Sequence, residues 1–183
     1  MPERGSRLAE ALARRRVGLG FAFGAVVLAL ARPTPFTLAT GVAVAAAGEC
    51  LRLWAAGHLN KSREVTSSGP YRWLAHPLYV GSSVIGLGLA VASGSQVVVA
   101  LIALYLGATL TAAITAEEAF LRRTFGDRYD RYRRQGAVDR DRRFRLRQAI
   151  DNREHRALAG FAVAVLLLVL KATYNGAFGG KGG

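Results

Sequence analysis

Cysteine is nearly absent from these 183 residues and histidine is sparse: Cys50 stands alone, beside His58, His76 and His155. A lone cysteine rules out any disulfide within the chain. Cys50 falls inside an apolar run, where it is expected to be a small buried hydrophobe rather than a reactive thiol. Histidines this scattered give neither zinc nor iron spacing, so no metal site is expected. No Gly-x-Ser-x-Gly segment occurs, which removes the hydrolase nucleophile elbow. Two glycine groups, Gly18, Gly20, Gly24 and Gly81, Gly86, Gly88, lie within apolar runs rather than between a strand and a helix. They lack the context of a dinucleotide-binding loop.

Long apolar runs are plentiful. Hydrophobic residues make up 51% of the chain, gathered at 17–31, 36–59, 78–93, 96–116 and 157–170. About 20 apolar residues cross a hydrocarbon core of roughly 30 Å. The runs 36–59 and 96–116 reach that length, and the shorter three are completed by flanking interfacial residues, tilt or local thinning. The expected fold is all-α: a polytopic integral membrane protein of about five membrane helices plus cytoplasmic amphipathic helices.

A formal charge of +13 raises the question of nucleic acid, and its placement answers it. Five arginines fall in residues 1–16 and thirteen in 117–156, with Lys61, Arg63 and Arg72 in the connection between the second and third runs. The connections after runs one, three and five hold only Arg32, Lys171 and Lys181. By the positive-inside rule the N-terminus, residues 60–77 and residues 117–156 are cytoplasmic, as in a bacterial inner membrane. A basic face against anionic lipid accounts for the charge, and no nucleic-acid partner is expected. Arg14-Arg15-Arg16 before a run ending Ala29-Leu30-Ala31 has the look of a cleaved leader. Arg32-Pro33 follows directly and further runs come next, so a retained first span is expected.

The chain then reads as a single membrane domain over 1–183: a basic lead at 1–16, a four-span core at 17–116, a basic amphipathic region at 117–156, a last span at 157–174 and a flexible tail at 175–183. Pro33 and Pro35 separate the first two helices. Glu49 and Arg52, three apart, share one face of the second. At membrane depth they are either an ion pair that fixes packing or part of a site. Gly69-Pro70 marks a turn. His76 precedes Pro77 and is held extended at a helix mouth, with the proline in the first turn. Ser93-Gly94-Ser95 turns the chain back, which brings Glu117-Glu118 to the face that His76 occupies. Beyond them Phe120, Leu121, Thr124, Phe125, Tyr129 and Tyr132 recur at helical spacing as an interfacial helix, with Gly126 a break.

One imidazole, several phenols and two carboxylates at a membrane boundary suit either a cationic ligand or proton removal from a nucleophile. Taken alone, Glu117-Glu118 also reads as a solvated helix end facing Arg122. The combination is more specific. Ser68-Gly69-Pro70-Tyr71-Arg72, His76-Pro77-Leu78-Tyr79-Val80-Gly81, Glu117-Glu118 eight residues before Phe125-Gly126, and then Tyr129 and Tyr132 resemble the isoprenylcysteine carboxyl methyltransferase and phospholipid methyltransferase family over 48–132.

The resemblance implies an integral membrane enzyme that transfers a methyl group from S-adenosylmethionine to a lipid or hydrophobic small molecule. It implies that His76, Pro77, Leu78 and Tyr79 line the cofactor site, that Gly69 and Tyr71 on the 60–77 loop contribute to it, and that Glu117 contacts the cofactor. Glu117 and Glu118 are the catalytic candidates, with Arg52 a third. The family commonly places Arg where Ala75 and Ala113 stand here, and the second of these arginines is associated with the acceptor carboxylate of prenylcysteine. This chain also continues after Tyr132 with a basic segment and an extra span. Two rival readings follow: an NADPH-dependent membrane oxidoreductase of the sterol-reductase type, whose later motif typically lacks the Glu-Glu pair, and a non-catalytic protein of the same fold that binds lipid or a partner.

Overall fold

The computed structural model describes residues 21–60, 65–127, 129 and 143–178, and all its regular elements are helical. The expected lead at 1–16, Lys61, Arg63, Tyr132 and the tail beyond 178 lie outside the described residues. Helix α1 spans Phe21–Leu30, α2 Pro35–Ala56, α3 Pro77–Ala92 and α4 Gln96–Phe125. A short helix α5, Leu146–Asp151, leads into α6, Glu154–Tyr174. Three of these, α2, α4 and α6, are long and apolar enough to cross a membrane, while α1 and α3 are shorter apolar helices.

Helix α2 starts where the prolines dictate. Thr34 caps it through a reciprocal pair of hydrogen bonds with Thr37, and Pro35 occupies the first turn. Its other end is finished by residues far away in sequence. The Asn152 side-chain amide donates to the carbonyls of Ala56 (2.9 Å) and Leu59 (2.8 Å), and the Arg145 amide donates to that of Gly57 (3.1 Å). Carbonyls that a helix end leaves open are thus closed by the segment after α4.

The centre of the fold is the α2–α3 contact. Gly41, Ala45 and Gly48 of α2 meet Gly81, Gly88 and Ala92 of α3 with backbone against backbone. A Cβ built on Gly48 would lie 2.7 Å from the Ile85 nitrogen and 2.8 Å from the Gly81 oxygen, and one on Gly88 would lie 2.6 Å from the Gly41 oxygen. Small residues permit this approach, which brings dispersion contacts that lipid-facing leucines cannot match. Around that pair, α4 packs on the opposite side of α3 and α6 leans on α2. Ala31, Leu38, Ala92, Leu168 and Ala172 close one end of the bundle. At the same end the Arg32 amide donates to the Ser93 carbonyl at 2.7 Å, tying the two hairpin turns together.

The helix expected beyond Glu117 is present as far as Phe125, and the break expected at Gly126 (φ 47°) ends it; the span and this stretch form one unbroken helix, α4. Glu, Ala, Leu and Arg are good helix formers, so leaving the apolar region supplies no reason to end the helix. Its 30 residues make a rod of roughly 45 Å, about 15 Å longer than the hydrocarbon core. The expected burial of Cys50 is corrected: the residue is exposed on α2, because α2 turns its glycines rather than its cysteine toward α3.

Much of the apolar surface faces outward: Leu104 on α4 is 73% exposed, and Leu166 and Leu170 on α6 are 56% exposed. Such faces suit a bilayer, and with three helices long and apolar enough to span one the protein is a polytopic integral membrane protein. Replacing Gly48 or Gly88 by Leu should force α2 and α3 apart at a cost of about 3 kcal/mol or more, whereas Gly107→Leu, which meets nothing within 4 Å, should be tolerated. Thermal unfolding in lipid nanodiscs checks the difference.

Candidate functional site

His76 precedes α3 in a non-helical conformation (φ −134°, ψ 64°) that falls short of the extended one expected, and Pro77 is the first helical residue. Proline costs no hydrogen bond there and keeps its predecessor out of helical geometry, so the imidazole is free to reach across to α4. Its Nε2 lies 3.2 Å from Glu118 Oε1 and its Nδ1 3.8 Å from Glu117 Oε2. The two carboxylates, adjacent on α4, straddle the ring. Tyr79 stands one turn along α3, its ring 5.7 Å from the imidazole and its hydroxyl facing Glu117. Arg122, one turn beyond on α4, holds Nη2 3.9 Å from Glu118 Oε2. The Arg122 contact expected of a plain helix end is present, and the imidazole contact is added to it.

The carboxylates differ in exposure. The Glu118 side chain is 21% exposed and Glu117 is 41% exposed, so Glu117 is the more open to an incoming group. Below them a cleft of about 450 Å³ runs between α3 and α4, within the range of small-molecule sites. His76, Tyr79, Ser83 and Thr111 provide its polar groups, and Ala75, Leu106, Leu110 and Ile114 its apolar walls. Leu106 also lines a second, partly open cavity of about 510 Å³ between α1, α3, α4 and α6, with Phe21, Leu89, Ile102 and Leu167 in its lining.

The remaining expected residues stand elsewhere. Pro77 is buried at the start of α3, and the Leu78 carbonyl accepts a hydrogen bond from the Ser82 hydroxyl at 2.9 Å. Gly69 and Tyr71 belong to a 3-10 turn, Gly69–Arg72, packed on the end of α2. Gly69 is left-handed (φ 57°), and a Cβ there would lie 2.6 Å from the His58 ring. Tyr71 is buried.

Arg52 lies in the α2–α3 seam rather than the α3–α4 cleft, and the expected pairing with Glu49 is replaced. Its Nε donates to Glu154 Oε1 at 2.7 Å and its Nη2 to Oε2 at 3.2 Å, while Nη1 bonds the Ser82 hydroxyl. A carboxylate from α6 presents both oxygens to the guanidinium fork, which a neighbour one turn away on the same helix cannot do as well. The sequence offered a weak sign of this: Glu154 is an acid opening an apolar run inside an otherwise basic segment. Ser82 and Asn152 gave no sign at all.

A polytopic membrane bundle with a histidine and two carboxylates at one end of a lateral cleft defines a class of interfacial membrane proteins. The family model for phospholipid methyltransferases matches residues 36–128, and the chain belongs to that family. The protein-S-isoprenylcysteine O-methyltransferase of Schizosaccharomyces pombe is 35% identical over 92 residues, 50% of this chain and 39% of that one. The nickel-cobalt-cadmium resistance protein NccN of Alcaligenes xylosoxydans xylosoxydans is 36% identical over 96 residues, 51% of this chain and 43% of that one. The cobalt-zinc-cadmium resistance protein CzcN of Cupriavidus metallidurans is 37% identical over 87 residues, 46% and 39% of the two chains. The matched part thus spans about two-fifths of each relative. No solved structure matches.

The Arg52–Glu154 pair should show the asymmetry of a buried ion pair. Glu154→Ala, which strands the guanidinium, should cost about 3–5 kcal/mol, and the double change Arg52→Met with Glu154→Leu should recover most of it. Reversible unfolding in bicelles or nanodiscs measures both.

Proposed function

We propose that this chain acts as a membrane methyltransferase that uses S-adenosylmethionine and methylates a lipid or hydrophobic small molecule at the cytoplasmic interface. The observation that carries the reading is the meeting of His76 and Tyr79 with Glu117 and Glu118 at the mouth of a lateral cleft, in a member of this family. The positive-inside pattern supports a cytoplasmic N-terminus and an inner-membrane location, with the cluster on the cytoplasmic side.

The residues suit the cofactor's chemistry. When bound, it supplies an electrophilic methyl group on a sulfonium and also carries an ammonium. Glu117, the more open carboxylate, offers a counter-charge, and the Tyr79 face can cover a cation. Glu118 fixes the His76 ring, so the imidazole borders the site in one orientation. The Glu118–His76 couple is also suited to take up the proton released when the acceptor is methylated. Gly69 and Tyr71 act from the loop side by shaping the end of α2. Arg52 supports the site from behind α3 through Ser82, a positioning role rather than a catalytic one.

An acceptor with an apolar tail suits the apolar cavity on the far side of Leu106, which is lined by aliphatic and aromatic side chains. Methyl transfer requires the nucleophile and the sulfonium in line, and holding both at an interface supplies much of the rate. With Ala75 on the cleft wall and Ala113 on α4, neither position offers a charge to an acceptor carboxylate. That favours an acceptor other than a prenylcysteine acid.

Calorimetry in nanodiscs tests the cofactor directly. Saturable S-adenosylmethionine binding is expected, weakened at least about tenfold, or 1.4 kcal/mol, by Glu117→Gln or His76→Ala. Folded protein that binds NADPH instead would move the assignment to the oxidoreductase reading. Labelled-methyl transfer into a membrane lipid extract identifies the acceptor, and Leu106→Trp should depress transfer to long-chain acceptors while leaving cofactor binding intact. Binding and transfer undiminished by Glu117→Gln would remove this residue from the site.

A further inference from the structure

Two span ends fix the depth of the short helix α5. The Arg145 amide, just before it, donates to the Gly57 carbonyl at 3.1 Å, and the Asn152 side chain, just after it, donates to the carbonyls of Ala56 and Leu59. Glu154, two residues on, opens α6. Residues 143–153 are therefore pinned where one apolar span finishes and another starts, which places them at the bilayer boundary.

At that depth the segment presents two kinds of side chain. Leu146 and Ile150, four apart and so on one face of α5, are 59% and 52% exposed, and Phe144 is 44% exposed. In the same stretch Arg143, Arg145, Arg147, Arg153 and Arg156 are all exposed. Among the described residues no carboxylate forms an ion pair with any of these five arginines. The local acids cannot balance them: Glu154 is buried and committed to Arg52, which leaves Asp151. Water would solvate the arginines and strand the leucine and isoleucine. A zwitterionic surface would take the apolar pair and give little return for the clustered cations. An anionic lipid surface answers both, because guanidinium forks match phosphate oxygens and the apolar face enters the acyl boundary.

We propose that residues 143–156 form a docking surface for anionic phospholipid, and that the segment held there clamps the end of α2. Leu146 and Ile150 dip below the headgroups, and the arginines hold the phosphates of neighbouring lipids. The clamp follows from connectivity, since the backbone on either side of α5 carries the donors that close the α2 carbonyls. This surface lies wholly outside residues 36–128 matched by the family model, and its role does not depend on methyl transfer.

The test places the full chain in nanodiscs holding trace photoreactive phosphatidylglycerol or phosphatidylcholine with identical chains. Cross-links to residues 143–156 should favour the phosphatidylglycerol probe at least about fivefold, the worth of one well-seated arginine. Salt on the order of 1 M, which shortens screening to about 3 Å, should remove most of that preference. The triple change Arg143→Gln, Arg145→Gln and Arg147→Gln should do the same, whereas Arg123→Gln on α4 should not. Leu146→Ser with Ile150→Ser should lower labelling by both probes. Hydrogen exchange reads the clamp: the Arg145 amide should exchange at least about fivefold more slowly in phosphatidylglycerol discs than in phosphatidylcholine discs. Equal labelling by the two probes, a preference that survives the triple change, or identical exchange of the Arg145 amide in both lipids would overturn the proposal. The wild-type labelling ratio and exchange rates decide the matter even where a variant does not fold.

Discussion

The close approach of α2 and α3 is the constraint on which the other elements depend. In a bilayer the solvent is as apolar as the side chains, so helices gain little from hiding leucine and much from close contact. Gly41, Gly48, Gly81 and Gly88 remove the side chains that would keep the two backbones apart. That contact runs along most of both helices and fixes the rotation of α3 about its axis. With Gly81, Ile85 and Gly88 turned to α2, the face holding Tyr79, Ser83 and Gly86 turns to α4. The orientation of Tyr79 is therefore a consequence of glycines on the opposite side of its helix.

The same rotation separates two polar clusters that might otherwise merge. His76, Tyr79, Glu117 and Glu118 meet at the α3–α4 seam, and Arg52, Ser82, Glu49 and Glu154 at the α2 side. Both stand at the end of the bundle where α2 finishes and α3 begins. The opposite end is sealed by apolar packing and by the Arg32–Ser93 backbone bond. Among the described residues the buried ionisable side chains, Glu49, His58 and Glu154, thus gather at one end of the bundle.

Local chemistry made part of this legible from sequence. Proline fixes its own φ and restrains its predecessor, so the break before α2 and the non-helical His76 could be read from Pro33, Pro35 and Pro77 alone. The sharp return at Ser93-Gly94-Ser95 likewise put the histidine and the carboxylates at one end. What could not be read depends on residues far apart. Nothing near Arg52 announces that its partner lies 102 positions away, and a glutamate three residues distant was the plausible local choice. That the span and the helix beyond Glu117 are one rod was less legible: hydropathy marks where lipid ends, whereas a helix ends only where capping or backbone geometry ends it, here at Gly126, the break that the sequence suggests. Cys50 misled because apolar surroundings in sequence do not say which side of a helix faces protein and which faces lipid.

The segment after α4 then acquires a definite structural task. Asn152 and Arg145 close the open carbonyls of α2, Phe144 packs its ring against Gly57 and His58, and Glu154 neutralises Arg52. Each of these contacts reaches the end of α2 from which the Gly69–Arg72 turn and the approach to His76 are also hung. Arg153, left-handed at φ 64° without being glycine, makes the corner that aims Glu154 at Arg52, a conformation that survives only where the surrounding contacts outweigh its cost. Residues beyond the family match are therefore not an appendage to the α2–α3 pair but the clamp on its polar end, and a change there should reach the histidine cluster through α2 rather than by direct contact.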